Sequence, residues 1–323
     1  MVGSHTNQVT RVDLPFWKRG KFKKNLALTT MVLPGLLWLL ILRYLPMGGI
    51  ILAFKKYSIT KGGFIPSLLN SQWVGFKNFE FLFTSSDTLV IVRNTLGYNL
   101  LWMVLGLVLA VSFAIMLSEI RAKFVAKAYQ TMMFFPHFLS WVVAGYFVYA
   151  FLSTDRGLIN GMLKSMGHAK FDWYMTPGPW PTILTIAALW KGTGYSSVLY
   201  LAAITGIDKT LYEAAMIDGA SKWKQIVHVT LPGLKTMIII LSIMSVGRIF
   251  NADFGLFYNV PRNSGALFQV TQVVDTYVYR AMSTMQRLEM ATAAGLFQSA
   301  IGFVLILTAN TIVTRIDNDS ALF

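Results

Sequence analysis

Six long apolar stretches constrain this chain more than any other feature of its 323 residues. They run over approximately 26–54, 88–120, 128–152, 181–207, 237–258 and 291–315. A helix that crosses a bilayer needs about 20 mainly apolar residues, and every stretch reaches that length. In hydrocarbon each backbone polar group must be satisfied internally, which leaves helices or closed barrels. Long apolar runs without alternation select helices. The expected fold class is therefore an all-α integral membrane protein with about six transmembrane helices. Composition agrees: 13% of residues are charged, about half of what soluble domains carry. The net charge of +14 would suggest a nucleic-acid partner in a soluble protein. Beside apolar spans it reads instead as the marker of the cytoplasmic side, and no nucleic acid is expected.

Residues 1–25 carry Arg11, Lys18, Arg19, Lys21, Lys23 and Lys24 directly before the first span. They lack the early apolar region and small-residue cleavage site of a secretory signal. They read as a basic cytoplasmic tail, with membrane lipid as a further partner of such a flank. An even number of spans then puts both termini in the cytoplasm, with 316–323 as a short second tail. This arrangement places fourteen Lys and Arg inside against ten outside, in keeping with the positive-inside rule. The first stretch contains Arg43 and Pro46 and is read as one kinked span. Segments 55–87, 153–180 and 259–290 fall outside. They hold Trp73, Phe76, Phe79, Trp173, Tyr174 and Trp180, either an interfacial belt or a platform for an external partner.

The connection 208–235 carries the most specific signal. Asp208 is a candidate helix N-cap, Leu211 to Asp218 make about two turns, and Gly219 permits a reversal. A second amphipathic segment presents Trp223, Ile226, Val227 and Leu231 at helical spacing, and Pro232 ends or kinks it. The physical reading is a helix–turn–helix knob at the cytoplasmic face, suited either to docking in a partner's groove or to interfacial packing.

Glu213-Ala214-Ala215, then Asp218-Gly219-Ala220, then Leu231-Pro232 resembles the EAA loop of binding-protein-dependent ABC import permeases. Thr236 stands where many members have a second proline. The likeness extends through Leu33-Pro34-Gly35, Tyr44-Leu45-Pro46-Met47, Gly75-Phe76-Lys77-Asn78-Phe79, Asn94-Thr95-Leu96 and Phe135-Pro136. Late in the chain, residues 275–280 and 294–299 resemble the branch that carries oligo- and polysaccharides. The resemblance implies the type I ABC importer permease architecture, with 26–315 as the permease domain and 208–235 as its coupling loop. It implies that Glu213, Ala214, Ala215, Asp218, Gly219, Ala220, Leu231 and Pro232 couple to the ATPase subunits, two in number. It implies a second permease, an extracytoplasmic solute-binding protein and a saccharide cargo such as alginate, in the plasma (inner) membrane of a bacterium.

No Gly-x-x-x-x-Gly-Lys-Ser/Thr phosphate loop occurs. The chain is not expected to be an enzyme by itself, and ATP and Mg are expected on separate subunits. His5, His137, His168 and His228 are too dispersed for a metal site. Charges within spans mark function by default. Arg93 and Glu119 read as snorkelling at span ends, and Arg43 as reaching the outer interface. Trp190, Lys191, Tyr195, Arg248, Asn251 and Asp253 are candidates for a substrate path, with Tyr200 and Tyr258 as further aromatic surfaces. The alternative is an internal Arg248–Asp253 or Lys191–Asp253 pair. Basic residues along a path would suit a uronate oligomer. Two other functions stay open: import of amino acids, peptides or phosphate, and an intramembrane enzyme using Asp253 or Asp275.

Overall fold

The computed structural model describes residues 20–84, 86–284, 286–317 and 321. The basic residues Arg11, Lys18 and Arg19 and most of the 316–323 tail lie outside the described residues. The chain divides into two units, 1–51 and 52–323. In the first, α1 (Gly20–Leu39) passes into a wide π turn (Leu40–Tyr44) and then a tight 3-10 stretch (Leu45–Phe54), whose last three residues belong to the second. Pro46 explains the widening. Its ring would meet the carbonyl one helical turn back, and a π turn there moves that carbonyl away. Residues Asn25–Phe54 form one apolar segment, as the kinked-span reading expects.

The second unit is built on α2 (Ser86–Ser118) and α5 (Trp180–Thr205), which pack along each other. Between them come α3 (Lys123–Phe138) and α4 (Trp141–Leu152). After α5 follow α6 (Lys209–Ile217), α7 (Lys222–Gln225), α8 (Lys235–Gly247), α9 (Phe254–Asn259), α10 (Val274–Ser283) and α11 (Leu288–Ile316). A two-residue ribbon pairs β1 (Lys55–Lys56) with β2 (Gln72–Trp73) antiparallel. Asn78 fastens it by donating to the Ala53 and Lys55 carbonyls at 3.0 and 2.9 Å. The Phe54 ring gathers Trp73, Phe76 and Phe79 around it.

Two expected spans are not single helices. The stretch 128–152 breaks into α3 and α4 at an angle of 98°. Pro136 lacks a helix donor, Leu139 and Ser140 are extended, and the Ser140 hydroxyl accepts from Val143 N to start α4 afresh. The stretch 237–258 stops at Gly247, and residues 248–253 are irregular before α9. Among the described residues three helices are long and apolar enough to cross a membrane, or five if each bent pair counts as one span.

Irregular backbone inside a membrane protein needs internal partners, and α2 supplies them. Asn99 donates to the Ile249 and Asn251 carbonyls. Asn94 donates to those of Gln269 and Gln272, and Tyr98 to that of Val270. Gln298 on α11 donates to the Phe250 carbonyl at 2.7 Å. The Asp275 carboxylate accepts from Ala252 N at 2.6 Å and from Gln298 at 3.3 Å. Two apolar clusters complete the unit. Trp180, Leu184, Leu256, Val260, Leu267 and Val273 bury around the start of α5. Ala110, Ala114, Tyr200, Ile204 and Leu234 bury around its end. The middle of α5 is left for polar groups.

Candidate functional site

That middle forms a cleft of about 340 Å³. Lys191, Gly192, Thr193 and Ser196 of α5 face His137, Trp141, Asp253 and Trp102 across it. Lys191 Nζ donates to the His137 carbonyl at 2.8 Å and lies 5.2 Å above the Trp141 ring. The edge of the same ring donates through Nε1 to Asp253 Oδ2 at 2.5 Å. Asp253 Oδ1 accepts from Leu256 N and so caps α9. Trp141 thus stands between a cation on its face and a carboxylate on its edge. Neither the Lys191–Asp253 nor the Arg248–Asp253 ion pair forms, which corrects the internal-pair alternative. The aromatic face weakly satisfies the ammonium, and among the described residues neither charge is neutralised by a side chain of opposite sign. Thr193 Oγ1 is buried without a partner.

A neighbouring cleft of about 470 Å³ shares Trp102, Gly106 and Ser196 and adds Tyr195, Tyr200, Ser245 and Arg248. Tyr195 stacks on His137 with ring centroids 4.5 Å apart. The structure therefore brings together four of the six path candidates, Lys191, Asp253, Tyr195 and Arg248, in two adjoining clefts. It separates Trp190, which lines a different, apolar cleft with Phe147 and Phe151. One helical step of about 100° from Lys191 turns it to the other face. Asn251 lends its carbonyl to Asn99 instead of lining either cleft. Arg93 donates to the Gln269 carbonyl at 3.1 Å. His137, Trp141, Trp102, Thr193 and Ser196 were missed, because only the break between α3 and α4 and the α2–α5 packing bring them to the cleft. The two acids of the enzyme alternative are both taken up as acceptors for backbone and side-chain donors.

At the far end of α5, residues 208–235 fold as the helix–turn–helix expected. The Asp208 carboxylate accepts from Thr210 N at 2.9 Å and starts α6. Hydrogen bonds from Thr210 hold that carboxyl below the usual carboxylate range. Its capping contribution is present above the ordinary carboxylate pKa and lost as pH falls through the lowered one. Gly219 at φ +76° ends α6. Ala220 N donates to the Ala215 carbonyl and Gly219 N to that of Met216, the paired bonds of a Schellman reversal. Ser221 caps α7, which runs through a π turn (Ile226–Thr230) into Leu231–Gly233. From there the chain bends 56° into α8. Tyr212 and Thr230 hydroxyls meet at 3.0 Å across the knob. Lys222 pairs with Glu119 at 2.9 Å beyond the end of α2. Glu213, Asp218 and Gly219 are exposed. So are Leu211, Met216, Ile217 and Trp223, the last two 86% and 72%. Exposed apolar side chains on a hydrogen-bonded frame mark a surface for a partner or for the membrane.

Residues 103–319 match the family model described as binding-protein-dependent transport system inner membrane component. The chain belongs to that family. It is 33% identical over 315 residues to the polygalacturonan/rhamnogalacturonan transport system permease protein YteP of Bacillus subtilis (strain 168), covering 95% of this chain and 96% of that one. A solved bacterial ABC transporter involved in the import of the acidic polysaccharide alginate has a chain that superposes with a TM-score of 0.81. That match is 32% identical and covers 92% of this chain and 98% of that one. A bacterial alginate ABC transporter solved in complex with an alginate pentasaccharide-bound periplasmic protein also matches, with a TM-score of 0.81 and 32% identity over 93% of this chain and 98% of that one. This protein is a membrane translocation subunit, the permease of an ABC import system.

Proposed function

We propose that this permease carries an oligo- or polysaccharide with acidic units, delivered by an extracytoplasmic solute-binding protein. The carrying observation is likeness over the whole chain to permeases whose own cargoes are acidic polysaccharides. The clefts along α5 support it chemically: Trp102, Trp141 and Tyr195 offer faces for sugar C–H surfaces, and Ser196, Asp253 and Lys191 offer hydrogen bonds. Lys191, Tyr195, Arg248 and Asp253 line the path in this reading. A second permease supplies the facing half, and two ATPase subunits bind ATP and Mg and receive the 208–235 loop. With α5 counted as a sixth span beside the five apolar ones, this reading has that loop and both termini in the cytoplasm.

Co-purification from native membranes is expected to recover an ATPase, a second permease and a binding protein. Proteoliposomes holding that assembly should import acidic oligosaccharides and leave amino acids and peptides outside; the reverse selectivity would defeat the reading. Lys191→Met should lower uptake of an acidic oligosaccharide about tenfold, the loss of one charge-assisted contact. Unchanged uptake would remove Lys191 from the path.

A further inference from the structure

A third polar cleft, of about 240 Å³, lies between α4 and α9 and is lined by Tyr146, Gly145, Tyr258, Asn259, Arg262 and Asn263. It sits toward the start of α5, since Ser264 donates to the Tyr174 carbonyl just before that helix. The docking loop is at the other end, about 39 Å away along 26 residues. The cleft follows the Lys191 cleft along the same two helices. Trp141 packs on Gly255, and Gly145 packs on Asn259, so one helical turn of about 5.4 Å separates the two contacts on both α4 and α9.

Its polar groups are set up in advance. Arg262 and Asn263 take φ of +56° and +48°, two consecutive left-handed non-glycine residues. Such backbone is costly and is kept where surrounding structure over-determines it. Here Arg262 N donates to the Asn259 carbonyl and Asn263 N to that of Tyr258. The Arg262 guanidinium lies 4.1 Å from the Tyr149 ring centroid and 5.9 Å from that of Tyr146. Among the described residues no carboxylate pairs with it. Arg280 donates Nη1 to Asn263 Oδ1 at 3.3 Å, which fixes the oxygen side of that amide, while Arg280 Nη2 is itself buried without a partner. Tyr258 is held by Phe254 and Tyr279.

From these we infer that the Arg262 cleft is a carboxylate-selective sugar subsite. It takes one uronate ring, with the carboxylate on Arg262 and the Asn263 amide and the ring against Tyr258 and Tyr146. The cleft is smaller than the roughly 300–1,000 Å³ of pockets that enclose a whole ligand, as suits one unit of a longer chain. A neutral sugar would offer the guanidinium only hydroxyl oxygens, weaker acceptors than a bidentate carboxylate. The inference rests on the saccharide-permease reading and adds to it a site that selects charge before the Lys191 cleft is reached.

The test uses the complete importer with its binding protein in proteoliposomes. The probes are a polygalacturonate oligosaccharide and its carboxyl-reduced, neutral derivative. Arg262→Asn keeps a residue that tolerates the left-handed backbone, and Asn263→Asp keeps the shape while adding a negative charge. Each is expected to raise KM for the acidic probe about tenfold or more, the loss of a charge-assisted hydrogen bond. KM for the neutral probe and both maximal rates should hold. An equal rise for both probes, or none for either, overturns the subsite. Repeating the assay in vesicles of phosphatidylcholine alone separates a sugar from a lipid headgroup. An Arg262 effect seen only with anionic lipid overturns the subsite too. Wild-type import of neutral saccharides alone would reject this inference together with the acidic cargo and leave a saccharide permease; import of no saccharide rejects the saccharide reading itself.

Discussion

Gly194→Ala is expected to abolish the folded permease. A Cβ at this position would lie within bonding range of the Met133 carbonyl and clash with the Phe134 amide, both backbone atoms of α3. Neither atom can rotate away, so α3 and α5 would have to separate. Overpacking of a tight contact costs about 1–3 kcal/mol even when side chains can yield, and here they cannot. The expected readout is loss of monodisperse complex after mild detergent extraction, with the chain degraded or aggregated. Gly192→Ala is the control on the same helix. Nothing lies within 4 Å of its added methyl, and replacing a helix-interior glycine gains up to about 1 kcal/mol. It should raise thermal resistance or leave it unchanged. Wild-type yield from Gly194→Ala would mean that α3 does not cross α5 at this residue.

The same crossing explains how much of the molecule was legible in its sequence. Apolar length announces helices, so α1, α2, α5 and α11 could be read directly. What length cannot announce is a break paid for by a distant residue. Residues 248–253 fall inside the expected span 237–258 in spite of Arg248, Asn251 and Asp253, and Asn99, Gln298 and Asp275 let them leave the helix by satisfying their backbone. Those partners lie up to 152 residues away, beyond any local pattern. The knob at 208–235 was legible because its determinants are local: a capping Asp208, a left-handed Gly219 and a proline at 232. Within the cleft the charged residues could be found from their rarity in spans. Trp141 could not, since aromatic residues are common there, and His137 was set aside as one of four dispersed histidines. Trp190 looked as eligible as Lys191, and only the rotation of α5 against α2 and α3 separates them.

Gly219→Val is expected to disconnect ATP hydrolysis from transport while leaving the chain in the membrane. Gly219 sits at φ +76° with nothing near its missing Cβ, so space is not the obstacle. The obstacle is local backbone strain, about 1–3 kcal/mol for a branched residue held there. That corresponds to a 5- to 150-fold loss of the reversal, and with it the bonds from Gly219 and Ala220 that close α6. Exposed Met216, Ile217 and Trp223 would then no longer stand on one frame. Substrate-stimulated ATP hydrolysis by the reconstituted assembly should fall at least about fivefold. Gly219→Asn should retain most of it, because Asn tolerates this conformation. Glu213→Ala should do less damage than Gly219→Val, since a single exposed ion pair contributes less than about 1 kcal/mol. This ordering distinguishes a surface that works by shape from one that works by a charge. If Glu213→Ala proved the more damaging, the carboxylate would be buried on docking and the charge would dominate. If Gly219→Val kept full stimulation, the loop would not be the element through which nucleotide closure reaches α5 and α8.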